Sequence, residues 1–426
     1  MNLLKTILKN EVFPALGCTE PTAVAYAASI AANELDGSLQ EIAIRVDPGV
    51  FKNGMAVTVP NTNGERGNLI AGVLGALVRQ PGQKMEVLKN VTPGMIEQAK
   101  ALIAAGRASI TCDSGRVGLY IDVTVRSSLG SARAVLQQNH TNLVLLEKNS
   151  TLLFAAEETE KAVRLPGYKD VLRGMTIAEL VDAAEEMDEE DEQYILRGIA
   201  MNRQIAEAGQ QIRKVGFYLA DLKEKKFLQD DVCSSSKIMT ASAADGRMGG
   251  LSLPVMSSGG SGNQGIVAIL VPYNVGKWFQ IDDRTIARSI ALSHLINSYI
   301  KCYTGSLSPI CGCAIAAGVG AAAAIVYQQK GKDMGKITLA VNNLISDLGG
   351  MLCDGAKGGC SLKVASSTDS AIRSAYMALN DHGITSVEGF VGRTAEETIR
   401  NLSRISDIGM SKVDEIMIQI MMDKNH

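Results

Sequence analysis

The sequence predicts an α+β protein: a mixed α/β domain over residues 1–165, followed by a mostly α-helical, cysteine-bearing domain over residues 166–426. Two observations carry this reading. Apolar–polar alternation, the period of a half-buried strand, recurs in the first third of the chain. Beyond Thr176 the apolar residues run at helical length and are separated by glycine-rich breaks, with one short exception at Gly265–Val271. The length of 426 residues agrees, because single domains average about 150.

In chain order, Pro21–Glu34 reads as a helix and Glu41–Val46 as a strand, whose pattern Ala56–Val59 continues after a turn-rich stretch. Helices follow at Gly67–Val78 and Thr92–Ala105. Leu119, Ile121, Val123 and Val125 alternate, as do Ala132, Ala134 and Leu136 after Ser-Ser-Leu-Gly, which predicts a hairpin. Seven of the eight residues from Glu185 to Glu192 are acidic, which reads as the solvated start of a long helix running toward Phe227. Gly265–Val271 is the one strand-like run of the second region. Further helices are expected at Asp283–Lys301, Ile310–Gln328, Ile337–Leu348 and Thr368–Leu379.

Composition narrows the function. A net charge of −3 provides no basic surface for nucleic acid and no polybasic membrane patch. Ile310–Tyr327 runs 18 residues without a charge, yet it is mostly Ala and Gly and reads as a helix at the centre of a soluble domain. No membrane partner is expected. The first ten residues lack the pattern of a secretory signal, so a cytoplasmic, reducing compartment is expected, where grouped cysteines bind metal or do chemistry. The apolar fraction of 46% is built with only 4% aromatics and 42 glycines, so backbone packs against backbone.

Three segments interrupt the helical pattern. From Ser257 to Gly265 every residue but Asn263 and Gln264 is Ser or Gly. Such a loop lets successive N–H groups hold an anion, and its side chains add neutral donors, which suits a carboxylate or phosphate. Ser257, Ser258, Ser261, Asn263 and Gln264 are the candidate substrate-binding residues. The other two segments carry Cys311-Gly-Cys313 and Cys353-Asp-Gly-Ala-Lys-Gly-Gly-Cys360. With five glycines between residues 349 and 359, the latter reads as a wrapped loop rather than a helix. Four grouped thiols suit zinc or an iron–sulfur cluster, although neither spacing is the usual zinc pair, and buried free cysteines are the plain alternative. Lys237, ahead of the Ser/Gly loop, would suit a pyridoxal-phosphate Schiff base, but its place in the chain fits that architecture poorly. Of four histidines only His294 lies in an apolar helical context, where it reads as a hydrogen-bonded core residue.

Together Ser235-Ser-Lys-Ile-Met, Arg247-Met-Gly-Gly, Leu253-Pro-Val-Met with the Ser/Gly loop, Cys311-Gly-Cys-Ala-Ile-Ala-Ala-Gly and Cys353 to Cys360 resemble the iron–sulfur serine dehydratase alpha-chain-like family. Glu11 to Pro21, with Gly-Cys-Thr-Glu-Pro, and Lys52 to Pro60 extend the likeness to its L-cysteine desulfidase and uncharacterised-protein group. The resemblance implies a [4Fe-4S] enzyme that eliminates the β-substituent of a small amino acid, foremost L-cysteine to pyruvate, hydrogen sulfide and ammonia. Dehydration of L-serine is the alternative, and a non-enzymatic, zinc-stabilised anion-binding protein is a third. Cys353 and Cys360 are the implied ligands, joined by Cys313 in preference to Cys311. Cys18, at the start of a helix, where thiol pKa values fall, is expected as base for the Cα proton or as a reversible fourth ligand. Lys237 and Arg247 are candidate charge partners, and a homodimer is the expected assembly.

Overall fold

The computed structural model describes residues 2–116, 118–156, 167–305 and 307–424, and it is an α+β fold. The expected boundary at 165/166 lies outside the described residues. The first part holds α1 (Leu3–Glu11), β1 (Pro14–Ala15), α2 (Thr19–Asn33), β2 (Leu39–Val46), α3 (Pro48–Gly54), α4 (Asn68–Val78), α5 (Pro93–Ala104), β3 (Ala108–Cys112), β4 (Tyr120–Ser127), β5 (Gly130–Gln137), β6 (Leu143–Lys148) and β7 (Thr151–Ala155). Six of the strands form one sheet in the order β3-β2-β4-β5-β6-β7, in which only the β2–β3 pair is parallel. The expected hairpin is β4–β5, in register from Tyr120 opposite Gln137 to Ser127 opposite Gly130. Ala56–Val59 is not a strand; there only an isolated bridge joins Thr58 to Arg66.

Helices α2 and α4 lie on the sheet, with α2 against β4 and β5. All residues from Thr19 to Ala32 of α2 are buried, so it is enclosed on every side. Its row of alanines permits this. A Cβ on Gly75 of α4 would sit 2.0 Å from the backbone oxygen of Ala25, so the two helices meet backbone to backbone.

The second part holds α6 (Gly167–Gly174), α7 (Ile177–Glu185), α8 (Glu189–Gly209), α9 (Val215–Glu224), α10 (Val232–Met248), β8 (Val255–Met256), α11 (Gly262–Trp278), α12 (Asp283–Thr304), α13 (Ala316–Lys330), α14 (Met334–Leu348), α15 (Cys360–Leu379), α16 (Ala395–Arg404) and α17 (Val413–Asp423). The Ala/Gly helix α13 is the centre, packed by α11, α12, α14 and α15 and buried from Ala316 to Gln328. A Cβ on its Gly320 would lie 2.5 Å from the backbone oxygen of Ser293 on α12. This second body has its own apolar core, which also takes in Leu3, Leu4, Ile7 and Leu8 of α1. The first helix therefore packs with the helical body rather than with the sheet.

Three expectations change. Gly265–Val271 is helical, inside α11, because a run buried on every side carries no period that separates helix from strand. The long acidic helix is divided: Asp188 caps α8 in a reciprocal box with Asp191, and Gly209, packed against the Ser242 backbone of α10, ends it. Helix α13 starts at Ala316 rather than Ile310, because Ile310 bridges to Leu352 and the residues between form a loop.

The Gly75–Ala25 contact makes a specific claim. Gly75→Ala should destabilise the fold by about 1–3 kcal/mol despite alanine's better helix propensity, because the neighbour is backbone and cannot turn away. Urea unfolding followed by circular dichroism reads this directly, and an unchanged midpoint would contradict it.

Candidate active site

The two bodies are joined beside one pocket. Strand β1 pairs antiparallel with β8, Pro14 opposite Met256 and Ala15 opposite Val255. Next to this pair the Phe13 N–H donates to Ser257 Oγ at 2.9 Å, and the Gly260 N–H donates to the Glu11 carbonyl at 3.0 Å. The start of α2 is thereby tied to the Ser/Gly loop at the start of α11.

Four thiols reach this pocket from two loops. The Cys311 N–H donates to Met351 O at 2.8 Å and the Cys353 N–H to Pro309 O at 2.7 Å. This pairing places the Cys311 loop beside the Cys353 loop. Cys360 follows as the first residue of α15, so the glycine-rich segment is the expected wrapped loop. Gly355 takes φ +88°, and a Cβ there would lie 2.4 Å from Lys52 O of α3. Lys363 of α15 braces the loop by donating to Leu352 O at 2.6 Å and pairing with Asp354. Gly312 is required for another reason: a Cβ there would lie 2.7 Å from the Gln264 amide nitrogen.

Cys311 and Cys313 have their sulfurs 3.3 Å apart. The hydrogen bond from Cys313 brings the Cys311 thiol down to about 7, while the same bond and burial push Cys313 well up. Burial raises Cys353 to about 11 and also raises Cys360. These directions describe the thiols without a metal. No group of three His, Cys, Asp or Glu among the described residues is arranged to hold a single metal ion.

Cys18 caps α2 and lines the same pocket. The preceding Gly17 takes φ +66°, where a Cβ would meet Pro60 at 2.4 Å; the two N-terminal motifs therefore fit together. The expectation of a lowered Cys18 pKa is overturned. Burial and the neighbouring Glu20 carboxylate push the thiol well up, outweighing the nearby Arg247 guanidinium, which pulls it down. Its Sγ donates to Glu20 Oε2 at 2.9 Å. Burial works against the charge of Glu20, yet His140 and the Cys18 thiol hold its carboxyl well below the ordinary range. Asn53 Nδ2 donates to Glu20 Oε1 at 3.2 Å, and His140 Nε2 lies 3.9 Å from that oxygen.

The Ser/Gly loop divides by direction. Ser261, Asn263 and Gln264 line the pocket. Ser257 and Ser258 face inward: Ser257 binds the β1 segment, and Ser258 Oγ lies 2.8 Å from His294 Nδ1 and accepts from Asn297 Nδ2 at 2.9 Å. His294 is thus the core histidine expected. Lys237 lies outside the pocket and pairs with Asp369 at 3.0 Å. Lys301, which the sequence reading missed, lines it and donates to Gly259 O at 2.5 Å, while burial lowers its pKa to about 8. Glu20 and Asn53 were also missed, although they stand inside the Gly-Cys-Thr-Glu-Pro and Lys-Asn-Gly motifs. His140 carried no signal beyond following a strand.

The pocket thus gathers four grouped thiols and Cys18 beside the first turn of a helix that begins with Asn263 and Gln264. The serine dehydratase alpha chain family matches residues 82–419, and the chain belongs to that family. The match begins inside the α/β part, ahead of β3. Over its whole length the chain is also similar to uncharacterised UPF0597 proteins. It is 60% identical to one from Geobacter sulfurreducens over 100% of this chain and 99% of that one. It is 53% identical to one from Elusimicrobium minutum over 100% of both chains. A relative from Clostridium tetani is 41% identical over 99% of this chain and 98% of its own. No solved structure matches it.

Burial holds His294 neutral, lowering its pKa from 6.5 to about 3. The unfolded chain takes this proton near pH 6.5 and the folded chain only near pH 3. Stability should therefore fall, by about 1.4 kcal/mol per pH unit from this group, as pH drops through that window, with no contribution above it. Urea unfolding of the wild type and His294→Asn across pH 4–7, as an approximate working range, checks this. Equal pH slopes in the two proteins would refute it.

Proposed function

We propose that the chain is a [4Fe-4S]-dependent lyase that removes the β-substituent of a small amino acid, foremost L-cysteine, giving pyruvate, hydrogen sulfide and ammonia. The observation that carries this is the meeting of Cys311, Cys313, Cys353 and Cys360 with Cys18 and the start of α11 around one pocket. L-Serine is the second substrate reading, favoured by the name of the matched family. The donor set fits the group. Its chemistry is what supports the fit, because soft thiolates are the ligands that iron–sulfur clusters take and Cys311, Cys313, Cys353 and Cys360 all line the pocket. For the third ligand beside Cys353 and Cys360 we favour Cys311 over the Cys313 of the sequence reading, because its backbone is bonded to the Cys353 loop.

When bound with three thiolate ligands, such a cluster supplies a Lewis-acidic iron with a free coordination position. The remaining work belongs to the chain. The first turn of α11 orients the substrate by its charged backbone groups. Cys18, once ionised, takes the Cα proton on its sulfur, and Glu20 Oε2 accepts the hydrogen bond of the thiol so formed. Asn53 and His140 keep Glu20 ionised as that acceptor. The enclosing loops keep water from the reacting carbon. The aminoacrylate product hydrolyses to pyruvate and ammonia.

Anaerobically purified protein should be brown, with broad absorption near ~400 nm and about four irons per chain. Cys353→Ser, Cys360→Ser and Cys311→Ser should each lose most of the iron, and Cys313→Ser should keep it. A colourless protein with stoichiometric zinc would refute the cluster. Cys18→Ala should retain the iron and lose at least about 100-fold in turnover, the range of a lost general base. Full turnover in that variant would exclude Cys18 from proton transfer.

A further inference from the structure

We infer that Arg247 and the first turn of α11 form a receptor for the α-carboxylate of a zwitterionic amino acid, with the amide oxygens of Asn263 and Gln264 receiving its α-ammonium group. This rests on the reading of the pocket as an amino-acid site, and it names what recognises the end of the substrate that does not react.

Arg247 stands in the last turn of α10 and is only 3% exposed. Among the described residues it forms no ion pair, and its buried Nε has no hydrogen-bond partner. A buried guanidinium without a counter-charge is strongly unfavourable, so the position calls for an anion. Its neighbour says where that anion sits. A Cβ on Gly262 would lie 2.2 Å from Arg247 Nε and 2.7 Å from its Cζ, so the guanidinium packs directly against the first residue of α11. Only glycine permits that approach.

The helix end adds a second donor set. Helix α11 runs 17 residues, and its N-cap Ser261 makes no side-chain bond to the first turn. Its leading N–H groups are therefore open, and the positive end of the helix dipole lies beside the arginine. Two positive groups packed together and facing one pocket match a carboxylate, which guanidinium grips through two parallel hydrogen bonds.

Acceptors stand next to these donors. Asn263 Oδ1 and Gln264 Oε1 are buried and have no donor, and both residues line the pocket. An unfilled buried acceptor costs stability unless a ligand supplies the proton. A phosphate or a dicarboxylate has no N–H to offer them, whereas an α-ammonium group offers three. Donors and acceptors on consecutive residues therefore complement a zwitterion. Lys301 lines the same pocket and uses one of its three donors on Gly259 O, so it adds positive charge on the side of the Ser/Gly loop.

L-Alanine is the probe, since it carries both backbone charges and no leaving group. Anaerobic calorimetry on iron-loaded protein should show Arg247→Gln weakening L-alanine by about 10- to 100-fold with iron content unchanged and the native circular-dichroism spectrum retained. Gly262→Ala keeps the charge but displaces the guanidinium, and it should weaken binding similarly. Propionate, which lacks the ammonium group, should bind the wild type about 10-fold or more weaker than L-alanine. Unchanged L-alanine affinity in both variants would overturn the receptor, as would no L-alanine binding in the wild type. Equal binding of propionate would overturn its ammonium half. Loss of iron in Arg247→Gln together with unchanged L-alanine binding in Gly262→Ala would assign the arginine to the metal site instead. If the chain loads no iron, the same titration on the iron-free protein decides the receptor, while the lyase reading falls alone. Normal L-alanine binding without turnover of L-cysteine or L-serine has the same meaning.

Discussion

The short antiparallel pairing of Pro14–Ala15 with Val255–Met256 is the constraint on which the site depends. Cys18 and Glu20 begin a helix that is enclosed in the α/β body, while Cys311, Cys313 and Cys353 belong to the helical core. Between the two cores a small cluster packs Cys18 with Val57, Met248 and Cys360. The pairing lies three residues before Cys18 and directly before Ser257, so it sets both approaches to the pocket at once. Ser257 extends it by bonding the chain on the other side. The packing of α1 into the helical core anchors the strand from its far end.

The second requirement is close approach. Helices α2 and α13 are buried almost completely, and each passes a neighbour with only a glycine between the backbones. Large side chains would separate these helices, and with them the loops at their starts. The same economy of volume appears in the pocket. Gly312 admits the Gln264 amide, Gly262 admits the Arg247 guanidinium, and Gly355 admits the Lys52 backbone. The scarcity of aromatics and abundance of glycine are thus a property of the site as much as of the core.

The sequence was most legible where one face of an element meets solvent. Strand β2 and helices α5 and α14 stand close to where their periods predict, because alternation there records a real inside and outside. Helices α2, α4 and α12 are legible although almost wholly buried, because each apolar run is longer than a strand. Legibility fails in short, wholly apolar stretches. Gly265–Val271 reads as a strand because both of its faces are apolar, and Ile310–Ile315 reads as part of a helix because a cysteine loop is as uncharged as a helix interior. The wrapped loop before Cys360 was read correctly from its glycines. The motif segments meet around one pocket, but the directions of their side chains are not legible in the motifs. Ser257 and Ser258 turn inward, Lys237 faces Asp369, and His140 arrives from a hairpin loop that no local pattern connects with Cys18. A helix start does not lower the Cys18 thiol here because the residue is buried and Glu20 lies two residues on, and neither its burial nor that contact shows in the local pattern.

The central claim is that one pocket joins thiols able to hold a cluster to a proton acceptor at the start of α2. Its most direct measurement is product stoichiometry after anaerobic mixing of the iron-loaded protein with L-cysteine. The account predicts sulfide, pyruvate and ammonia in equal amounts over many turnovers, with none formed by protein stripped of iron. Sulfide without pyruvate, or equal turnover by the stripped protein, would contradict it.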